Sequence, residues 1–155
     1  TGINDTTFAP YEALARAQAN AELNGFAPDV CKWQQADVFD YLRRAREAGD
    51  TYDLIILDPP KFASSHYHVD RAARAYKDIN LNGLRLLRAG GQLLTFSCSG
   101  AIDTDLFQKI VAGAVIDSRR QAWALSRFGA GVDHPLLMTF PEGEYLKGLH
   151  LKLCD

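Results

Sequence analysis

Two hydrophobic rhythms alternate along the chain, and each change of rhythm marks an element. From Glu12 to Asn24 the run is dominated by strong helix formers, among them Ala13, Leu14, Ala15, Ala17, Ala19 and Ala21. Pro10 suits a first turn and Gly25 a stop, so this stretch predicts a helix. Val30 to Gln34 reads as a short strand ending near Asp37. A helix follows over Val38 to Ala48, with Phe39 and Leu42 on one side, Arg43, Arg44 and Arg46 toward water, and Gly49 at its end. Leu54 to Leu57 and Leu93 to Phe96 are continuous apolar runs of strand length, the pattern of strands covered on both faces. Between them Val69 to Leu87 predicts a helix, with Leu81, Leu84 and Leu87 at spacing three and Gly90-Gly91 as the break; a helix between two buried strands implies a parallel crossover. Asp103 to Ile116 predicts another helix, carrying Leu106, Ile110 and Ala114 at spacing four and capped by Asp103 or Thr104. Ala122 to Phe128 and Leu146 to Leu153 read as closing strands, the second alternating Leu149, Leu151 and Leu153 with His150 and Lys152, as in a half-exposed antiparallel strand at the far side of a sheet.

The sum is an open, mostly parallel α/β sheet of doubly wound type with an antiparallel strand near the C-terminus. It starts in mid-pattern: Thr1-Gly2-Ile3 runs almost at once into the first helix, and the N-terminal part of such a fold is expected to be missing. At 155 residues, 47% apolar and 23% charged, the composition fits one folded domain and excludes disorder. No apolar run approaches the ~20 residues that span a bilayer. Cys31, Cys98 and Cys154 are odd in number and far apart, which offers neither a disulfide framework nor zinc spacing and points to a reducing cytoplasm. A net charge of −2 does not advertise nucleic acid, yet leaves room for a local basic face.

Ligands of open α/β sheets bind beyond the carboxyl ends of the strands, which directs attention to two loops. After the first buried strand comes Asp58-Pro59-Pro60-Lys61-Phe62. Two prolines without N–H hold Asp58 and Pro59 extended and leave carbonyls free to accept hydrogen bonds. Asp58 could meet a ring nitrogen or amino group of a base, and Lys61 a phosphate; alternatively the segment is a strand-ending turn. After the second strand comes Ser97-Cys98-Ser99-Gly100. A thiol just ahead of a helix N-terminus is nucleophile placement, against the alternative of a small buried hydrophobe. Asp37, ending the preceding strand, could accept from an adenine amino group or simply cap the next helix. Arg71, Arg74, Tyr76 and Lys77 follow the Asp-Pro-Pro loop and are expected to line its crevice with basic and aromatic groups suited to RNA. His66, His68 and Asp70 suggest a metal cluster but lack a separate further ligand, and no metal is expected.

Several stretches together resemble one family. They are Asn20 to Gly25, DLIILDPPKF over Asp53 to Phe62, YKDIN over Tyr76 to Asn80, GGQLLTFSCSG over Gly90 to Gly100, Asp105 to Lys109, Asp133-His134-Pro135, and PEGEYLKG over Pro141 to Gly148. From about residue 12 onward the chain is similar to the class I, S-adenosylmethionine-dependent methyltransferases that form 5-methylcytosine in large-subunit ribosomal RNA, which join an RNA-binding PUA domain to a Rossmann-like catalytic domain. The resemblance implies that Cys98 adds to carbon 6 of cytosine, that Asp58 contacts ring nitrogen 3, and that Asp37 touches the adenine of S-adenosylmethionine. Asp58 and Pro59 are also expected to border the cofactor, and Pro60, Lys61, Phe62, Arg74 and Lys77 to border RNA. The family's first strand, Gly-rich cofactor loop and PUA domain have no counterpart in these residues, and Asp5 is off register for a ribose contact. The chain by itself is therefore expected to hold cofactor poorly. Related RNA cytosine methyltransferases also carry a cysteine after the first proline of this motif, where Pro60 and Lys61 stand here. Two rival readings are a nitrogen-directed base methyltransferase, which has no need of a thiol, and a non-catalytic Rossmann-like RNA-binding module in which Cys98 is packing.

Overall fold

The computed structural model describes residues 2–5, 11–62 and 69–155. Strands and helices alternate: β1 (Gly2–Asp5), α1 (Tyr11–Leu23), β2 (Cys31–Gln34), α2 (Val38–Ala48), β3 (Tyr52–Leu57), α3 (Val69–Leu86), β4 (Leu87–Ser97), α4 (Thr104–Ser118), β5 (Ala122–Phe128) and β6 (Lys147–Leu153), with a 3₁₀ turn at Pro141–Gly143. They form two compact units, Thr1–Tyr41 and Leu42–Asp155.

In the first unit β1 and β2 pair in parallel, from Gly2 opposite Cys31 to Asp5 opposite Gln34, with α1 as the connection. The strand at 2–5 corrects the expectation that the chain opens on a helix. Gly-Ile-Asn-Asp has one strongly apolar residue and no period-two signal, so only its pairing with β2 defines it. α1 stops where the pattern predicts, because Gly25 takes φ +74° and the Gly25 and Phe26 amides return to the carbonyls of Glu22 and Ala21.

In the second unit the strand order is β3-β4-β6-β5. β3 and β4 run parallel, from Leu54 opposite Gln92 to Leu57 opposite Thr95, as the intervening helix requires. β6 pairs antiparallel with both β4 and β5. The last strand thus lies between β4 and β5 rather than at the sheet's far side, which explains why Leu149, Leu151 and Leu153 are all buried. One face of the sheet, with Leu93 and Thr95 of β4 and Leu149 and Leu151 of β6, is buried together with Tyr76, Ile79 and Leu84 of α3 and Phe107, Val111 and Ala114 of α4.

The other face differs from expectation. Leu54 and Ile56 are 49% and 59% exposed, and Leu94 and Phe96 are half-buried. The apolar run of β3 is therefore covered on one face only among the described residues. The Gly90-Gly91 pair also sits elsewhere than predicted. It lies inside β4, where Tyr52 opposes Leu87 but Leu54 already opposes Gln92, so residues 88–91 bulge outward. Gly90 takes φ +70°, and a Cβ on Gly91 would fall 2.9 Å from the Arg88 carbonyl oxygen. Across the exposed face Phe96 stacks on Phe128 at 5.6 Å, and Gly148 passes beneath. A methyl group at Gly148 would stand 2.5 and 2.6 Å from the Phe96 ring and 3.2 Å from Phe128 Cβ. Gly148→Ala is expected to cost about 1–3 kcal/mol, measured as a lower urea midpoint; an unchanged midpoint contradicts this packing.

Candidate active site at the strand ends

The two loops singled out in the sequence come together because their strands are neighbours in register. Leu57, the last residue of β3, pairs with Thr95 of β4. Asp58 follows Leu57 directly and Cys98 follows β4 directly, so both stand at C-terminal ends of adjacent parallel strands. Asp58, Pro60 and Lys61 are exposed, while Pro59, Phe62 and Cys98 are half-buried. The sulfur is therefore neither sealed in the core nor loose on the surface.

The Cys98 loop is fixed from several sides. The Ser99 amide donates to Ser97 Oγ at 3.3 Å, and the Ile102 amide to the Ser99 carbonyl at 3.1 Å. Ser99 Oγ and Tyr76 Oη share a buried 3.0 Å hydrogen bond. Lys147, the first residue of β6 and opposite Ser97 in register, sends its ammonium past the strand end to the Ser99 carbonyl at 2.7 Å and to the Ile102 carbonyl. Beyond the loop, Asp103 caps α4 by accepting from the Leu106 amide at 2.7 Å, one of the two caps the sequence offered.

Other predicted residues fall in different places. Tyr76 is not an exposed ring lining the crevice. It is fully buried, 4.7 Å from the Phe62 ring and 5.7 Å edge-on to Phe107. Its position in α3 puts it on the sheet-facing stripe with Ala72, Ile79 and Gly83, a helical spacing that outweighs its likeness to a stacking platform. Arg74 is exposed, its Nε donating to the Asp70 carbonyl at 3.3 Å. Lys77 pairs with Asp117 of α4 at 2.8 Å. In the first unit Asp37 Oδ1 accepts from the Phe39 and Asp40 amides at 2.9 and 3.1 Å, so this oxygen serves the helix cap. His66 and His68 lie outside the described residues.

Lys147 is the residue that sequence reading passed over. Its signal was a lone lysine opening a leucine-alternating strand. It is 6% exposed. Burial pulls its ammonium below the ordinary value of 10.5, while the charges of Cys98 and Asp103 act in the opposite direction. Below 10.5 the unfolded chain therefore binds more protons at this site than the folded one, and the site's contribution to stability rises with pH through that window. The stability difference between the wild type and Lys147→Met is expected to move in favour of the wild type as pH is raised toward 10.5, measured by urea unfolding; a flat difference contradicts the burial of a charge here.

No protein-family model matches the chain. It is 49% identical over 137 residues to Ribosomal RNA large subunit methyltransferase I of Shewanella frigidimarina and 50% identical over 137 residues to that of Shewanella amazonensis. Each alignment covers 88% of this chain but 34% and 35% of the relative, so the chain spans about a third of the length of the curated relatives it matches. Among solved structures, SMU.776 complexed with SAH superposes with a TM-score of 0.80 at 22% identity, covering 97% of this chain and 38% of that one. The N-methyltransferase NodS from Bradyrhizobium japonicum WM9 gives a TM-score of 0.62 at 10% identity, covering 99% and 66%. The fold is Rossmann-like, that of class I methyltransferases. A fold shared with an N-methyltransferase does not choose the atom methylated; that choice has to be argued from the site.

Proposed function

We propose that this protein transfers a methyl group from S-adenosylmethionine to carbon 5 of a cytosine in large-subunit ribosomal RNA, through a covalent adduct on Cys98. The observation that carries this reading is the Leu57–Thr95 pairing, which sets a carboxylate and a half-buried thiol at adjacent strand ends. The relatives' activity, as their name gives it, supports ribosomal RNA as substrate, and the fold supports the cofactor.

The residues fit such ligands. Pro59 and Pro60 have no N–H, so the edge at 58–60 presents oxygen acceptors, which suit partners bringing N–H donors, such as adenine, cytosine or the cofactor's ammonium. Asp58 and Pro59 would border the cofactor. Asp37, whose Oδ1 serves the helix cap, is proposed for an adenine amino group on its chemistry as an acceptor alone. Lys61 and Arg74, exposed cations, would meet phosphates, with Pro60, Phe62 and Lys77 beside them. When bound, S-adenosylmethionine supplies an electrophilic methyl group on a sulfonium.

The chain's own residues account for the rest. Carbon 5 of cytosine is a poor nucleophile until the Cys98 thiolate bonds to carbon 6 and the double-bond electron pair moves to carbon 5. As the addition develops negative charge on the ring, nitrogen 3 takes a proton from solvent, and the Asp58 carboxylate accepts a hydrogen bond from that N–H and holds it there. Carbon 5 then takes the methyl group; its proton passes to water, the double bond re-forms, the thiolate is expelled and nitrogen 3 gives up its proton. Asp58→Asn, nearly equal in size, is expected to lower kcat by about 10²–10⁴-fold with the fold intact, read by methyl transfer to RNA; full activity contradicts the role. The test of the whole reading is nucleoside analysis of methylated ribosomal RNA. The expected product is 5-methylcytidine, whereas an N-methylated nucleoside favours the nitrogen-directed alternative.

A further inference from the structure

We propose that Lys147 is a positioning residue for Cys98, its buried ammonium locking the Ser99–Ile102 turn and holding positive charge beside the sulfur so that the thiol ionises and attacks. This deepens the reading of Cys98 as nucleophile and rests on it.

Three observations converge. First, Lys147 opposes Ser97, the last residue of β4, which Cys98 follows directly. Second, its Nζ donates to the carbonyls of Ser99 and Ile102, which open and close the turn directly after Cys98. An ammonium satisfied by main-chain carbonyls rather than by a carboxylate keeps its charge available to a further anion. Third, the charge on Cys98 acts on Lys147, ahead of that on Asp103. A lysine is costly to bury, and two carbonyl acceptors could equally be met by a neutral donor or by turn amides. A cation at this place is explained if an anion forms nearby, and a thiolate is the anion the proposed chemistry requires.

Among the described residues, several groups beside the loop carry or can carry charge, with exposed Lys61 further out in the Asp58 segment. They are Lys147 of β6, Asp103 at the head of α4, Asp58 at the end of β3, and the Tyr76 phenol of α3, which is hydrogen-bonded to Ser99. Both carboxylates disfavour negative charge on sulfur. Among the described residues Lys147 is the cation hydrogen-bonded to this turn, so its removal has a definite sign.

The experiment follows alkylation of Cys98 by iodoacetamide as a function of pH, in protein carrying Cys31→Ser and Cys154→Ser so that one thiol reacts. Alkylation needs neither RNA nor cofactor and reads the thiolate directly. In Lys147→Met the pH midpoint is expected to rise by about one unit, a roughly tenfold slower reaction at neutral pH, with the rate at the alkaline plateau unchanged. Lys147→Arg, which keeps the charge, is expected to stay near the wild-type midpoint. A merely structural lysine would alter plateau and midpoint without regard to charge. The converse measurement does not depend on a substituted lysine folding: in Cys98→Ser, the Lys147 ammonium followed by lysine-selective NMR is expected to lose its proton at lower pH than in the wild type. An unmoved midpoint in Lys147→Met, or unchanged Lys147 titration in Cys98→Ser, overturns the inference. Neither result bears on whether cytosine is methylated, which nucleoside analysis decides separately.

Discussion

Cys98→Ala is expected to abolish methyl transfer to RNA, with a loss of roughly three to six orders of magnitude, while leaving the fold and its thermal midpoint nearly unchanged. The two halves of this expectation have separate causes. Cys98 is half-buried at a loop, and removing one sulfur there deletes little packed surface, so stability hardly moves. Chemistry, by contrast, has no substitute for the thiolate: without addition at carbon 6, carbon 5 of cytosine remains unreactive toward a sulfonium methyl group. Cys31, half-buried in β2, and Cys154, exposed after β6, serve as internal controls, and serine at either is expected to retain activity. A Cys98→Ala protein that methylates RNA at more than a tenth of the wild-type rate contradicts the covalent route and favours direct attack by a nitrogen of the base.

The largest expected effect on stability is at Tyr76. Its side chain is fully buried, packs against Phe62 and edge-on to Phe107, and carries its hydroxyl to Ser99 Oγ at 3.0 Å. Tyr76→Ala removes the ring from the junction of α3, α4 and the Cys98 loop, at a cost of about 3–5 kcal/mol. That is a substantial fraction of the ~5–15 kcal/mol stability of an ordinary domain. Tyr76→Phe keeps the ring and loses only the hydrogen bond, so it is expected to cost about 1 kcal/mol. The pair separates packing from polar anchoring in a single urea series. A Tyr76→Ala loss no greater than that of Tyr76→Phe would contradict the buried position of the ring.

Elements whose own side chains carry a strong period were legible in the sequence. α2 occupies Val38–Ala48 as the pattern predicts, and α4 begins after the Asp103 cap. The candidate site was legible for the same reason: apolar strands of four or more residues name their own C-terminal ends, and Asp58 and Cys98 follow them. What the pattern did not reveal depends on partners distant in sequence. β1 has no periodicity and exists through its pairing with β2. β6 was recognisable as an antiparallel strand, but its place between β4 and β5 is set by cross-strand register. Tyr76 looked like an RNA platform because it follows a functional loop among basic residues, yet its helical spacing put it in the core. Lys147 escaped attention because a single lysine at a strand's first position is ordinarily a solvated end, and only the turn at Ser99–Ile102 closing over it makes it a buried cation.

The most direct test of the covalent mechanism is trapping with RNA in which the target cytosine carries fluorine at carbon 5. Fluorine cannot leave as a cation, so an adduct that forms and takes the methyl group cannot eliminate. Incubation with S-adenosylmethionine is predicted to give a protein–RNA complex stable to denaturant, with the cross-link mapped by peptide mass spectrometry to Cys98. Methylation of ordinary RNA with no such complex, or a cross-link at another residue, would contradict the account.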